Sequence, residues 1–304
     1  MWMNKTGSSP PIPEWIKEGL SNRLALGEIV SIIDEFSLST VCQEARCPNI
    51  GKCFREGTAT FLIMGKICTR GCTFCAIDKG TPMPLDPLEP DRIADAVLRM
   101  HLKYVVITSV TRDDLEDGGV GHYLAVIDKL CKRVKGVNIE VLVPDFGGNM
   151  EGVERIVHSG ICVFNHNVET VSRLYGEVRR GANYALSLEV LRRAKEVCER
   201  VVVKSGFMVG LGEGEDEVIS LMEDLRDVGV DVLTIGQYLR PSSRHYPVVE
   251  YVHPDVFDRY KEIGEQMGFS VVYSAPFVRS SFKAKEAYER ILTLRGGEPS
   301  CRSS

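Results

Sequence analysis

The chain reads Thr60-Phe-Leu-Ile-Met-Gly-Lys-Ile-Cys-Thr-Arg-Gly-Cys-Thr-Phe-Cys75 at the point where its pattern becomes regular. The first part is a short apolar run, typical of a strand buried on both faces of a parallel sheet. The second part carries Cys68, Cys72 and Cys75, spaced C-x3-C-x2-C. This order predicts three thiols on a loop that follows the carboxyl end of a buried strand.

Similar apolar runs recur downstream and alternate with helical patterns. The runs cover residues 104–108, 139–143, 161–164, 201–209, 232–235 and 270–273, and helical spacing of apolar residues is found over 89–100, 186–200 and 215–228. Strand–helix alternation repeated about six times is typical of a parallel β/α barrel or an open doubly wound sheet. Polar residues follow several runs, as in barrel enzymes that build active sites at the carboxyl ends of their strands. We therefore expect an α/β fold, a partial parallel (β/α)6 barrel.

The two ends of the chain are expected to complete this barrel. We predict an N-terminal, cysteine-bearing extension over residues 1–57, the partial barrel over residues 58–275 and a C-terminal segment over residues 276–304. Six units are too few for a closed eight-stranded barrel. The open side should therefore be covered by the extension, by the C-terminal segment closing over it, or by a substrate.

A second cysteine triplet precedes the first, with Cys42, Cys47 and Cys53 spaced C-x4-C-x5-C. Each triplet lacks one of the four thiolates of a closed zinc site or an ordinary four-iron cluster. A cluster with three protein thiolates leaves one iron with a coordination site open to another ligand. From the cysteines alone, a zinc-stabilised binding module and a non-enzymatic two-cluster electron carrier like a ferredoxin are alternatives to an enzyme.

Composition indicates the size of the core, the binding partners and the cellular compartment of the protein. The 304 residues are 44% hydrophobic and can bury a sizeable core, and a net charge of −5 argues against a nucleic-acid binder. No run approaches the ~18 apolar residues of a membrane span, and the polar start has no signal-peptide pattern. We expect a cytoplasmic protein that binds neither nucleic acid nor membrane. In a reducing compartment, closely spaced cysteines more often bind metal than form disulfides.

The C-x3-C-x2-C triplet after the first strand resembles the signature of radical S-adenosylmethionine enzymes. The resemblance implies that Cys68, Cys72 and Cys75 hold a 4Fe-4S cluster whose fourth iron is chelated by S-adenosylmethionine. It also implies reductive cleavage of that cosubstrate to a 5′-deoxyadenosyl radical, which removes hydrogen from an unactivated carbon. Soft thiolates suit iron–sulfur clusters, and the missing fourth ligand leaves a place for the cosubstrate. Phe74 is expected to pack beside the adenine.

Stretches outside this triplet resemble one group within that superfamily, the lipoyl synthases. They include the upstream C-x4-C-x5-C motif and residues 106–119, 165–170, 178–184, 204–213 and 236–242. Near the end, Arg279-Ser-Ser-Phe282 is similar to the family's Arg-Ser-Ser-Tyr motif, with Phe where Tyr is usual. The resemblance covers residues 14–285, nearly the whole chain.

The chemistry that this resemblance implies is specific. Lipoyl synthases insert two sulfur atoms, at C6 and C8, into an octanoyl chain carried on a lysine of a lipoyl carrier domain. Cys42, Cys47 and Cys53 would bind an auxiliary 4Fe-4S cluster that is consumed as the sulfur donor, and Ser281 would ligate its fourth iron. A serine oxygen is a harder ligand than thiolate, so we expect the cluster to open at this bond. The clusters carry the chemistry, and no acid–base catalytic residue is expected.

Weaker signals concern the cosubstrate and the partners. Asn165, Glu169 and Arg180 are candidates for contacts to the ribose and carboxylate of S-adenosylmethionine, because amides and carboxylates suit a ribose diol and arginine suits a carboxylate. The implied partners are octanoylated 2-oxoacid dehydrogenase E2 components or the glycine cleavage H protein, an electron donor such as ferredoxin or flavodoxin, and an iron–sulfur carrier. A biotin synthase-like sulfur insertase is the enzyme alternative, which the upstream triplet and the Arg-Ser-Ser-Phe motif disfavour.

Overall fold

The computed structural model describes residues 9–20, 27–41 and 58–297, which build an α/β fold around one large sheet. The strands are β1 (Ser39–Thr40), β2 (Thr58–Ile63), β3 (Ile67–Cys68), β4 (Asp78–Lys79), β5 (Tyr104–Ser109), β6 (Asn138–Leu142), β7 (Val163–Asn165), β8 (Val202–Val209), β9 (Val232–Gln237) and β10 (Val271–Ser274). The helices are α1 (Glu14–Leu20), α2 (Gly27–Glu35), α3 (Glu89–Arg99), α4 (Val120–Arg133), α5 (Met150–Val157), α6 (Tyr175–Val178), α7 (Tyr184–Val197), α8 (Glu215–Asp227), α9 (Pro254–Gln266) and α10 (Ala284–Leu294).

In the large sheet, neighbouring strands follow one another in chain order. Its order is β1-β2-β5-β6-β7-β8-β9-β10, and every pair from β2 to β10 is parallel. Parallel neighbours in chain order, joined by helical connections, are typical of a β/α barrel, whereas a doubly wound sheet reverses its strand order. The short β1 is antiparallel to β2 at one edge, with Ser39 opposite Leu62. Since β1 and β10 do not pair within the described ranges, the barrel there is partial.

The main core lies between the sheet and the surrounding helices. Val105 and Ile107 of β5 belong to one buried cluster with helix residues such as Val97 and Ile127. All six residues of β2 are buried, as are all six of β9. Burial on both faces explains why these strands read as continuous apolar runs rather than alternating ones.

A second, smaller core lies on the other face of the sheet, at the amino ends of the strands. It contains the first residues of several strands, namely Tyr104, Val163, Val202, Val232 and Val271. Helix α10 packs against them through Ala287, Tyr288 and Ile291, and the rings of Tyr104 and Tyr288 lie 6.2 Å apart. The C-terminal helix therefore closes the amino end of the barrel, opposite the end where the strands finish.

The structure confirms the expected fold class and most of the expected elements. The apolar runs coincide with strands to within a few residues, and β10 adds a parallel strand after the six expected units. Helix α2 was not expected, since residues 1–55 show little periodicity beyond a stretch near Trp15 that lies in α1. Cys42, Cys47 and Cys53 lie outside the described residues, and the division of the chain at residues 57 and 275 remains a prediction.

None of the helices in the described ranges combines the length and the apolar character that crossing a lipid bilayer requires.

Candidate functional site

The cysteine loop, residues 67–79, follows β2 at the carboxyl end of the barrel. It begins and ends at the small parallel pair of β3 and β4, and the N–H of Gly80 donates to the carbonyl oxygen of Cys68 at 3.1 Å. Cys68 ends β3, and Cys72 and Cys75 flank the turn at residues 73–74. All three thiols are free and partly buried. The spacing therefore places three thiols on one loop, as the sequence predicts.

One side of the cysteine loop is tied to the loops that follow β5 and β6. The hydroxyl of Thr69 donates to the carbonyl oxygen of Thr111 and to the carboxylate of Asp113, both at 3.0 Å. The guanidinium of Arg70 donates to Asp113 at 2.8 and 2.9 Å and to Asp145 at 2.5 and 2.6 Å. Asp145 is 1% exposed, so this charge pair is largely shielded from water. The two carboxylates orient the loop from the barrel side.

The other side of the loop is tied to segments that follow β7 and β9. The N–H of Thr73 donates to the carbonyl oxygen of Val178 at 2.9 Å, and its hydroxyl donates to the carbonyl oxygen of Glu177 at 2.8 Å. In turn, the carbonyl oxygen of Thr73 accepts from the N–H of Tyr246 at 2.9 Å. The loop is thus held between four strand ends, which fixes the positions of its thiols.

Burial governs the protonation of the free thiols. It raises the pKa of Cys75 to about 12, and it raises the pKa of Cys72, where the charge of Arg179 opposes part of the effect. Such thiols are protonated at neutral pH, and they release protons when they bind iron as thiolates. The donor set is therefore soft and partly buried, which suits an iron–sulfur cluster.

Arg179 places a buried positive charge beside the cysteine loop. Its Nη1 donates to the hydroxyls of Tyr175 and Ser187, each at 2.8 Å, and its Nη2 lies 3.5 Å from Nε2 of His166. Within the described part of the chain it forms no salt bridge with a carboxylate, although it is only 9% exposed. A buried cation with neutral hydrogen-bond partners favours an anion in the adjacent space.

His166 supports Arg179 as a neutral side chain. Complete burial lowers the pKa of His166 to about 3, and the charge of Arg179 acts in the same direction. Its Nδ1 lies 2.8 Å from the carbonyl oxygen of Val143, so Nδ1 is the donor. Nε2 is then left as an acceptor that faces the guanidinium of Arg179. The histidine holds the arginine without adding a second charge.

Asn167 and Glu169 lie in the loop after β7, close to Cys72. The amide Nδ2 of Asn167 donates to Glu169 at 3.0 Å and to the hydroxyl of Ser280, and its Oδ1 is buried without a partner in the part of the chain that the structure describes. Burial raises the pKa of Glu169, an effect that the charge of Arg179 and the bond from Asn167 oppose. Glu169 has a positive φ of 68°, a conformation that L-residues rarely adopt and that concentrates at functional sites.

The tail segment, residues 275–283, crosses the carboxyl ends of the strands after β10. The N–H of Gln237 at the end of β9 donates to the carbonyl oxygen of Pro276 at 3.1 Å. The fit is close at Gly236, where an added Cβ would lie 2.2 Å from the carbonyl oxygen of Val278. The tail then reaches Asn167 through Ser280 and turns into α10. Ser281 is half-buried in that turn.

Asn165 belongs to a buried polar network inside the barrel. Its Nδ2 donates to Glu140 at 3.1 Å, Glu140 pairs with Lys204 at 2.9 Å, and the hydroxyl of Tyr104 donates to Glu140 at 2.7 Å. The carboxylate and the ammonium are each 1% exposed, so they neutralise one another in the interior. This network forms a polar layer above the apolar contacts of α10.

Phe74 and Arg180, which the sequence also predicts to contact S-adenosylmethionine, lie in different surroundings. Phe74 is partly buried against the main core, within the cysteine loop. Arg180 is exposed, and its neighbour Arg179 faces Cys72 and Glu169 instead. Arg179 lies just past the end of α6, and no local pattern in the sequence separates it from Arg180.

The fold and the loop define the class of protein. A model of the radical SAM superfamily matches residues 62–225. Methylornithine synthase has a similar structure, with a TM-score of 0.53 and 12% identity, covering 93% of this chain and 92% of that chain. Coproporphyrinogen III oxidase from Escherichia coli matches with a TM-score of 0.50 and 13% identity over 69% of this chain and 53% of that one. This is a radical S-adenosylmethionine enzyme, a class that uses a 4Fe-4S cluster and S-adenosylmethionine.

Sequence relatives define the family within that class. The chain is 53% identical over 272 residues to the lipoyl synthase of Caldanaerobacter subterraneus subsp. tengcongensis, covering 90% of this chain and 95% of the relative. It is 51% identical over 274 residues to the lipoyl synthase of Caldicellulosiruptor saccharolyticus, covering 90% and 96%. The chain belongs to the lipoyl synthase family, whose members are radical S-adenosylmethionine sulfurtransferases.

The residues present fit the cluster and the cosubstrate of this class. Three soft donors lie on one partly buried loop. Beside them, among the described residues, lie a buried cation without a carboxylate at salt-bridge distance and a buried amide oxygen without a donor. Across residues 9–20, 27–41 and 58–297, no three His, Cys, Asp or Glu side chains are grouped around a position for a single metal ion. A four-iron cluster does not need such a group, because its three thiolates bind three different irons.

Proposed function

We propose that this protein inserts two sulfur atoms, at C6 and C8, into an octanoyl chain carried on a lysine of a lipoyl carrier domain. An auxiliary 4Fe-4S cluster is the sulfur donor. Family membership supports the proposal, and one structural observation carries it. The tail segment brings Arg279-Ser-Ser-Phe282 across the strand ends, where Ser280 accepts a hydrogen bond from Asn167 near the cysteine loop. The motif is thus linked, through Asn167 and Glu169, to the end of the barrel that carries the predicted radical site.

In the radical site, Cys68, Cys72 and Cys75 hold three irons of the first cluster. When bound, the cluster and S-adenosylmethionine supply a radical that removes hydrogen from the octanoyl chain. Arg179 supplies the positive charge that a methionine carboxylate requires. Asn167 and Glu169 offer acceptors to the ribose hydroxyls. Asn165 and Phe74 remain predicted contacts, although Asn165 lies lower in the barrel. We assign the contact predicted for Arg180 to Arg179 instead, because Arg180 is exposed.

In the auxiliary site, Cys42, Cys47 and Cys53 hold the second cluster and Ser281 ligates its fourth iron. Ser281 follows Ser280 in the chain, so both serines approach the strand ends with the tail segment. A serine oxygen would bind cluster iron less well than a thiolate would, which would suit a cluster that donates sulfur.

The proposed substrate is an octanoylated E2 component or glycine cleavage H protein. Ferredoxin or flavodoxin would supply electrons, and an iron–sulfur carrier would rebuild the auxiliary cluster. Basic residues near the tail offer a surface for an acidic carrier domain. Two of them are paired within α10 and its turn, Lys283 with Glu286 at 2.9 Å and Lys285 with Glu289 at 3.8 Å. The net positive charge of that surface is therefore small.

Two matched variants test the division of labour between the cysteine triplets. Replacing Cys42, Cys47 and Cys53 with Ala should halve the iron content of anaerobically reconstituted protein and stop sulfur insertion. Cleavage of S-adenosylmethionine to 5′-deoxyadenosine should continue. Replacing Cys68, Cys72 and Cys75 with Ala should also leave one cluster but abolish cleavage. A doubly thiolated product from the first variant would refute the sulfur-donor role.

A further inference from the structure

The amide of Asn167 has an unusual balance of contacts. Its Nδ2 has two acceptors, Glu169 at 3.0 Å and the hydroxyl of Ser280, and an amide nitrogen has two hydrogens to donate. Its Oδ1 is buried and has no partner among the described protein atoms. A buried acceptor that lost its bond to water and gained no donor destabilises the protein. Such an atom points to a donor that arrives with a ligand.

The orientation of this amide follows from its neighbours. If the amide were flipped, Oδ1 would face the carboxylate of Glu169, which offers only acceptors when ionised. Glu169 is itself fixed, because its N–H donates to the carbonyl oxygen of Gly206 at 3.1 Å and its carbonyl oxygen accepts from the N–H of Met208 at 2.9 Å. Ser280 holds the second hydrogen from the tail side. Together they leave Oδ1 directed away from both.

The tail segment fixes Ser280 in turn. Its backbone is bonded to the end of β9 and lies so close to Gly236 that no side chain fits between them. The N–H of Phe282 donates to the carbonyl oxygen of Arg279 at 2.8 Å, which closes a turn around both serines. Ser280 is therefore presented to Asn167 by an ordered backbone rather than by a long side chain.

We propose that Ser280 is a positioning residue for S-adenosylmethionine. It holds Asn167 with Oδ1 toward the cosubstrate, where Oδ1 accepts a hydrogen bond from a hydroxyl or ammonium group. The inference rests on the proposed place of Asn167 in the cosubstrate site and not on the octanoyl chemistry. The two serines of the tail then serve different sites: Ser280 acts on cosubstrate binding, and Ser281 acts on the auxiliary cluster.

A double-mutant cycle on cosubstrate affinity tests this role. The dissociation constant of S-adenosylmethionine is measured by equilibrium dialysis for anaerobically reconstituted wild type, Ser280→Ala, Asn167→Ala and the double variant. Loss of one oriented hydrogen bond should weaken binding about five- to tenfold in each single variant. Because Ser280 acts through Asn167, the double variant should bind no more weakly than Asn167→Ala.

Three controls complete the experiment. Ser280→Thr keeps the hydroxyl and should bind S-adenosylmethionine within about threefold of wild type. Ser270→Ala removes an exposed serine that directly precedes β10, at the opposite end of the barrel, and should leave the affinity unchanged. Iron content should be unchanged in Ser280→Ala. Additive losses in the double variant, or unaltered affinity in Ser280→Ala, would overturn the proposal. Lipoyl product formed by the wild type is scored separately, so failure of the octanoyl chemistry remains distinguishable.

Discussion

At the scale of single residues, the site is built from polar and charged side chains that are buried away from water. Arg179 keeps its charge in a buried position because two hydroxyls and a neutral histidine surround its guanidinium. Burial shifts Cys72, Cys75 and Glu169 toward their neutral forms, and the positive charge of Arg179 opposes this shift at Cys72 and Glu169. These opposing effects describe a site whose electrostatics are completed by a bound anion.

Adjacent arginines allow a direct test of this view. Arg179→Gln should weaken binding of S-adenosylmethionine about tenfold or more, because a charge-assisted hydrogen bond to a carboxylate is lost. Arg180→Gln removes the same charge from an exposed position and should stay within about twofold of wild type. Equilibrium dialysis on reconstituted protein measures both. Weaker binding in Arg180→Gln than in Arg179→Gln would contradict the assignment.

Ser281 gives the second prediction at this scale. Ser281→Ala should leave one iron of the auxiliary cluster without its ligand, so that cluster should be lost readily and little lipoyl product should form while cleavage of S-adenosylmethionine persists. Ser281→Cys should retain the cluster but release sulfur more slowly, since thiolate is the softer ligand. Mössbauer spectra and single-turnover product assays distinguish these outcomes. An active Ser281→Ala variant would remove the serine ligand.

The sequence predicts which kinds of residue form the site, but it does not predict which side chains point into the site and which point to solvent. The cysteine spacing fixes which thiols share a loop, because a short loop leaves them no other arrangement. Arg180 was expected in the cosubstrate site, whereas Arg179 is the buried neighbour. The roles of Asn167 and Ser280 depend on a contact between segments 113 positions apart in the chain. No local pattern encodes such a contact.

At the scale of elements, the tail segment and the cysteine loop are both held by hydrogen bonds to strand ends and to the loops that follow them. Thr69, Arg70 and Thr73 tie the loop to the loops after β5, β6 and β7. The tail lies on β9 at Gly236, where the absence of a side chain permits the approach. A change at Gly236 should therefore move the tail without altering any proposed ligand.

Gly236→Ala provides that test. Its Cβ would lie 2.2 Å from the carbonyl oxygen of Val278, so the tail must shift. We expect auxiliary cluster content and sulfur insertion to fall several-fold, with the radical cluster retained. Gly176→Ala is the matched control, since no atom lies within 4 Å of its added Cβ. Iron analysis and product assays compare the two. Full sulfur insertion by Gly236→Ala would show that the position of the tail does not matter.

Elements with strong periodicity were predictable and weakly patterned ones were not. The runs that became β5, β8 and β9 are buried on both faces, so they appear as continuous apolar stretches. Helix α2 is short and sits in a segment without clear periodicity, so its packing rather than its propensity determines it. The strand order could be expected because right-handed β/α units place successive strands side by side.

At the scale of the whole molecule, the two ends of the barrel have different tasks. Helix α10 fills the amino end with apolar side chains, and the buried pair of Glu140 and Lys204 forms a polar layer above it. The carboxyl end carries the cysteine loop, Arg179 and the tail segment. Stability and chemistry are thereby separated along the barrel axis, as is usual for β/α barrels. The C-terminal chain joins both ends, through the tail and α10.

The proposed function requires the protein itself to donate sulfur to a carrier-bound octanoyl chain. Protein is reconstituted anaerobically with iron and heavy-isotope sulfide, transferred into unlabelled sulfide, and incubated with an octanoylated lysine peptide, S-adenosylmethionine and a reductant. Mass spectrometry of the peptide after a single turnover should reveal a lipoyl product with two heavy sulfur atoms, both taken from the auxiliary cluster. A product containing only sulfur from solution, or 5′-deoxyadenosine without any thiolated peptide, would contradict the account.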